Sequence, residues 1–223
     1  MPSAVTGAEL NASSLSAAES YRLMTSIVAP RPIAWVSTVD GQGRRNLAPF
    51  SYFQGICSHP PTIMLGLGWN PDGSPKDTLR NILETRELVV CHVSEEQGEM
   101  MVATSAAFAS EVSEWQQVGI RSQPSIEVAP PRVAESLASM ECVLRHAIPI
   151  GVGPTGAPSS TLVIAEVVHF ALADGLVSRD KGGRLAAIDP AKLRSLGRLG
   201  GITYTTSDSR RDIPRPSAPE VKK

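Results

Sequence analysis

The chain has 223 residues, a formal net charge of −1 and an apolar fraction of 42%. That length suits one well-buried domain or two small ones, and the even charge balance leaves no electrostatic footprint for nucleic acid. No apolar run reaches the roughly 18 residues a membrane helix needs, and no basic-then-apolar leader opens the sequence. Three dispersed cysteines, Cys57, Cys91 and Cys142, lie in apolar sequence without a CxxC pair and read as reduced core thiols of a cytoplasmic protein.

In chain order, residues 1–15 are small, polar and expected to be flexible, and the folded domain is expected over 16–205. Ser16 and Glu19 fit a capping box, predicting a short helix through Tyr21 to about Ser26. Ile33 to Val39 is rich in β-formers with poor alternation, as in a strand buried on both faces. Asp40-Gly41-Gln42-Gly43 supplies a tight reversal, and a return strand starts near Asn46. In Asn46-Leu47-Ala48-Pro49-Phe50-Ser51 the proline predicts a lost ladder hydrogen bond. Small side chains beside it leave room for another object, although a bulged edge strand gives the same pattern. Phe53 to Cys57 and Thr62 to Leu67 read as strands around a His59-Pro60-Pro61 turn, and a Gly/Pro/Asn/Asp loop spans Trp69 to Ser74. A helix follows from Lys76-Asp77-Thr78 to about Thr85. Next come a strand over Glu87 to Val93, a helix over Glu95 to Phe108 and an irregular, proline-rich stretch over Trp115 to Val133. Ser139 to Ile150, Thr161 to Phe170 and Leu176 to Ser178 are the last expected strands, and 206–223 is expected to be disordered. Strands outnumber helices without alternating with them, which favours an antiparallel barrel with peripheral helices.

Lys76-Asp77-Thr78 is the clearest chemical feature. A helix start offers unpaired N–H groups and partial positive charge, which stabilise a phosphate; Lys76 adds a charge and Thr78 a hydroxyl, while Asp77 suits the cap. The bland alternative is a plain N-cap beside a solvated lysine. Gly151-Val152-Gly153-Pro154-Thr155-Gly156 matches GxGxxG in letters only, because prolines surround it and a strand follows. His59, His92, His146 and His169 show no metal-ligand spacing. His169, near a strand end, is the one suited to face a substrate. No nucleophile has a local activating base, so no catalytic side chain is assigned.

Taken together, PRPIAWVST, NLAPFS, SHPPT, KDT, a late ECVL strand and Arg198-Leu199-Gly200-Gly201 with Tyr204 resemble the flavin reductase-like, FMN-binding split-barrel family, in its flavoprotein oxygenase branch. Ser113-Glu114-Trp115 before Gly119 also sits where that family has an acidic-aromatic segment. The resemblance spans Tyr21 to Tyr204. It implies a mainly β fold with some α: a six-stranded antiparallel split barrel with peripheral helices, dimerised with FMN in a groove near the subunit interface. By the same resemblance, the ring would lie on Ala48, Pro49 and Phe50, with side-chain hydrogen bonds from Asn46 and Ser51. Trp35, Val36, Ser37 and Thr38 would line the ribityl side, Lys76, Asp77 and Thr78 the phosphate, and Arg198 and Tyr204 would complete the pocket or the dimer contact. Where the family's shorter reductases carry Gly-Asp-His near the nicotinamide, this chain reads Ala165-Glu166-Val167-Val168-His169.

Two functions follow from the resemblance. One is an FMN-dependent oxidoreductase passing electrons from NAD(P)H to a small acceptor or partner oxygenase. The other is a flavin-binding electron carrier or storage module without NAD(P)H activity of its own. FMN would carry the electrons while the protein supplies position and electrostatics.

Overall fold

The computed structural model describes residues 7–207 and 209–215. The expected terminal disorder therefore falls partly on residues outside this range; residues 7–15 are largely exposed and hold one short turn, Ala12–Ser14, capped by Asn11. Helix α1 (Ala17–Ile27) starts at the expected capping box, with Ser16 and Glu19 satisfying each other's backbone amides.

Seven strands form the main sheet: β1 (Ala34–Val39), β2 (Arg45–Phe50), β3 (Phe53–Ser58), β4 (Pro61–Gly68), β5 (Glu87–Cys91), β6 (Ala138–Ile150) and β7 (Ser160–Leu172). Their order is β2-β1-β5-β6-β7-β4-β3, with antiparallel neighbours throughout. The two edge strands, β2 and β3, are consecutive in sequence, so the sheet curls until its edges meet at the Ser51–Tyr52 bend, where Gly66 N–H donates to the Tyr52 carbonyl at 2.7 Å. This is a split barrel, with seven strands in the ladder where six were implied. The GxGxxG look-alike lies in the β6–β7 loop.

All six residues of β1 are buried, because helices cover both faces. On one side Leu79 and Ile82 of α2 (Asp77–Thr85) join Ala34, Val36, Leu65 and Val163. On the other, Met101 of α3 (Gly98–Ala103) and Trp115 of α4 (Glu114–Val118) join Trp35, Leu47 and Val89.

Three expectations need correction. The helix expected over Glu95 to Phe108 ends at Ala103, because the Thr104 and Ser105 hydroxyls bind the last-turn carbonyls of Met101 and Val102 at 2.7 and 2.6 Å. Leu176 to Ser178 forms no strand; the chain turns there, and Arg179 bridges to Leu185 instead. Cys91 and Cys142 are core thiols, but Cys57 is exposed on edge strand β3.

Arg31 fastens the chain's two ends to the barrel. It is 4% exposed, and its guanidinium donates to the carbonyls of Thr25, Val28 and Leu199 at 2.6, 2.7 and 2.9 Å, with a long contact to Ser51 Oγ at 3.4 Å. Carbonyl dipoles thus replace a carboxylate partner. Removing the fork strands buried acceptors, so Arg31→Ala should cost about 2–3 kcal/mol, and Arg31→Lys should recover only part of that loss. Denaturant midpoints measure both; an unchanged midpoint for Arg31→Ala would refute this role.

Candidate functional site

The site is built on the outer edge of β2. Backbone groups of successive strand residues point alternately inward and outward. The Arg44 carbonyl faces inward and accepts from Asp40 N–H at 3.0 Å. Arg45 and Leu47 face outward: Ser113 Oγ donates to the Arg45 carbonyl at 2.9 Å, and Leu47 N–H donates to Glu114 Oε2 at 3.0 Å. Pro49 shares that outward parity. Its missing N–H falls on the open edge and costs the ladder nothing, and the β1–β2 register runs without a bulge. The sequence expectation of a lost ladder bond is therefore wrong in place. The outward N–H of Leu47 is not open on this edge, because Glu114 takes it.

Past this edge lies a polar cleft of about 350 Å³ between β2, the start of α2 and the segment 104–110. Asn46, Ala48, Pro49, Phe50 and all of Lys76, Asp77 and Thr78 line it. Lys76 occupies the N-cap position and its side chain makes no capping hydrogen bond, so the cap is not the role of Asp77 that the sequence suggested. Asp77 is the first helical residue, and its carboxylate goes to Arg80 at 2.5 Å and Ser110 Oγ at 2.9 Å. Thr78 Oγ1 accepts from Asn46 Nδ2 at 2.9 Å, linking helix start to strand. Lys76 is exposed and makes no ion pair among the described residues. Open first-turn amides, a hydroxyl and a free ammonium converge there, and this donor set fits a phosphate.

A second cleft, about 210 Å³, shares Pro49, Phe50 and Ser105 with the first and adds Ser51, Arg198 and Tyr204. Arg198 stacks 4.5 Å from the Tyr204 ring centroid and hydrogen-bonds its hydroxyl and the Gly201 carbonyl. Together the two clefts form a groove along β2 with Lys76 at one end and Arg198 at the other.

Trp35, Val36, Ser37 and Thr38 line neither cleft. All four are fully buried: Trp35 Nε1 donates to Thr104 Oγ1 at 2.9 Å, Thr38 Oγ1 accepts from Asn81 at 3.1 Å, and Ser37 Oγ has no hydrogen-bond partner among the described residues. They support the floor from below. His169 is half-buried opposite Glu141 on β6 and lines neither cleft. Among the described residues no acidic, cysteine and histidine group is arranged for a metal ion, and no helix is long and apolar enough to cross a membrane.

Glu114 is the residue whose role the sequence did not reveal. It is 8% exposed and lines the cleft. Burial pushes its carboxyl above the usual range; the Leu47 amide pulls it down, and the Asp77 charge adds to the rise. Its place before Trp115 in an acidic-aromatic segment was the available signal.

An antiparallel split barrel with a polar groove on its open edge defines the class. The family model described as the flavin reductase like domain matches residues 25–186. An uncharacterized protein of Halalkalibacterium halodurans is 40% identical over 209 residues, covering 94% of this chain and 97% of that protein. Among solved structures, nitrilotriacetate monooxygenase component B from Bacillus cereus superposes with a TM-score of 0.85 at 32% identity, covering 94% of this chain and 100% of that one. The 2-nitrobenzoate 2-nitroreductase of Pseudomonas fluorescens gives 0.77 at 29% identity, covering 94% and 97%. The chain belongs to the flavin reductase-like domain family of flavin-related oxidoreductases.

Ala48 is half-buried on the cleft wall. Bulk at this position should fill the groove and leave the core undisturbed. We expect apo Ala48→Leu to keep its melting temperature within a few degrees, in contrast to the roughly 1–3 kcal/mol of overpacking in a sealed core, and to lose flavin affinity. Melting the apo variant and titrating flavin into it decides; a destabilised variant that binds flavin normally would remove Ala48 from the site.

Proposed function

We propose that the protein is an FMN-dependent oxidoreductase that passes electrons from NAD(P)H through FMN to an acceptor. The observation that carries this reading is the uncapped start of α2, with Lys76 beside it, opening into the same groove as Ala48, Pro49 and Phe50. Lys76, Thr78 and the first-turn amides would hold the phosphate. Ala48 to Phe50 would receive the ring, and Ser51, Arg198 and Tyr204 would close the far end. FMN supplies the redox chemistry when bound; the chain binds, orients and shields it, and hydride transfer needs no acid or base from a side chain. The relatives named as a monooxygenase component and a nitroreductase support an acceptor outside the flavin.

A second reading, an electron carrier or storage module without NAD(P)H activity, draws on two observations. Glu166, in the stretch that replaces Gly-Asp-His, is tied to Arg145 at 2.7 Å, and His169 stands away from the groove. Both readings include a homodimer. An apolar hollow of about 560 Å³, bordered by exposed Phe170 and Leu172, supports this as a surface a second copy would cover; light scattering of the purified protein measures it.

A charge-assisted contact contributes about 1.5–3 kcal/mol, so Lys76→Ala should weaken FMN at least about tenfold and leave riboflavin almost unchanged. Equal losses for both flavins would end the assignment of the phosphate to α2. Anaerobic NADPH or NADH should bleach the bound flavin if the protein is a reductase; a spectrum unchanged by either donor selects the carrier reading.

A further inference from the structure

Glu114 occupies an unusual electrostatic position for a residue in an anion-fitted cleft. It is 8% exposed, accepts from Leu47 N–H at 3.0 Å, and takes part in no ion pair among the described residues. The charged groups around it have other arrangements. On α2, Arg80 is paired with Asp77 at 2.5 Å. At the β1–β2 turn, Arg44 is paired with Asp40 at 2.6 Å. On β2, Arg45 donates to Ser122 Oγ at 3.0 Å. On the covering segment Glu111 is exposed, as is Lys76 at the helix cap. A buried carboxylate without a cation favours its neutral form. Asp77, in the first turn of α2, already pushes Glu114 that way, so a second anion at the same helix start would push it further.

This inference rests on the flavin site proposed above. We propose that Glu114 is a specificity-determining residue that takes a proton from solvent when a phosphate-bearing ligand settles at the start of α2, tying affinity for phosphate to pH. The sign follows from linkage: proton uptake on binding strengthens binding as pH falls and weakens it as pH rises. Riboflavin, lacking the phosphate, would bind without this dependence.

Glu114→Gln tests the proposal. The amide oxygen can still accept from Leu47 N–H, while the titrating group is gone. Calorimetry of FMN and riboflavin in two buffers of unequal ionisation enthalpy counts the protons exchanged per ligand. The phosphate itself, with a second pKa of about 6, titrates coupled to Glu114, so the difference in proton count between the two proteins reads the Glu114–phosphate coupling, with riboflavin as the phosphate-free control. We expect the unaltered protein to take up more protons per FMN than the variant. The variant should bind FMN several-fold more tightly above neutral pH, and riboflavin should show no difference. Equal proton counts in the two proteins would overturn the proposal. Isotope-edited infrared spectra of the glutamate carboxyls in the unaltered protein give a second readout independent of variant folding: the Glu114 band should titrate at higher pH with FMN than without, and an unmoved band counts against it. If FMN binds neither protein, the flavin reading fails, and inorganic phosphate as titrant then judges Glu114 alone by the same criteria.

Discussion

A curled sheet whose first edge strand stays unpaired is the constraint on which the rest of this molecule depends. Because β2 has a neighbouring strand on one side only among the described residues, its outward backbone groups must be met by something else. Ser113 and Glu114 meet two of them, and Pro49 removes the need at a third. The segment that provides Ser113 and Glu114 is itself held to α2 through Ser110 and Asp77. Cleft wall, helix start and strand edge are thus one mechanical unit.

That unit explains why the groove can be polar at one end and firm throughout. Its floor is β2, which rests on β1, a strand sealed between two apolar layers, so the surface beneath any ligand has little freedom to shift. The Asn46–Thr78 hydrogen bond fixes the helix start against this floor. A flat ligand would meet a prepared surface, which lowers the ordering cost of binding.

Much of this was legible in the sequence because it is local. The capping box at Ser16, the Asp40–Gly43 reversal and the helix start at Lys76 each depend on neighbours a few residues away, whereas the break expected at Pro49 failed because only the sheet order shows that its nitrogen faces the open edge. Pattern alone could say that Trp35 to Thr38 form a strand buried on both faces. It could not say that helices would seal both faces and deny those side chains to a ligand. Glu114 was harder still: its partner Leu47 lies 67 residues earlier, and nothing local marks the pairing. The end of α3 was missed for a subtler reason, since hydroxyls at Thr104 and Ser105 compete for carbonyls that propensity assigns to further helix.

The Arg31 fork has a kinetic meaning too. One of its acceptors, Leu199, is 168 residues along the chain, and a contact of such separation carries a large loop-closure entropy. The fork therefore belongs among the last interactions to form, after the β6–β7 hairpin and the β1–β2 reversal have already organised the barrel. Interactions absent from the folding transition state govern how fast the native state comes apart rather than how fast it is reached. A fork that closes last would bear more on how slowly the groove comes apart than on how fast it is built.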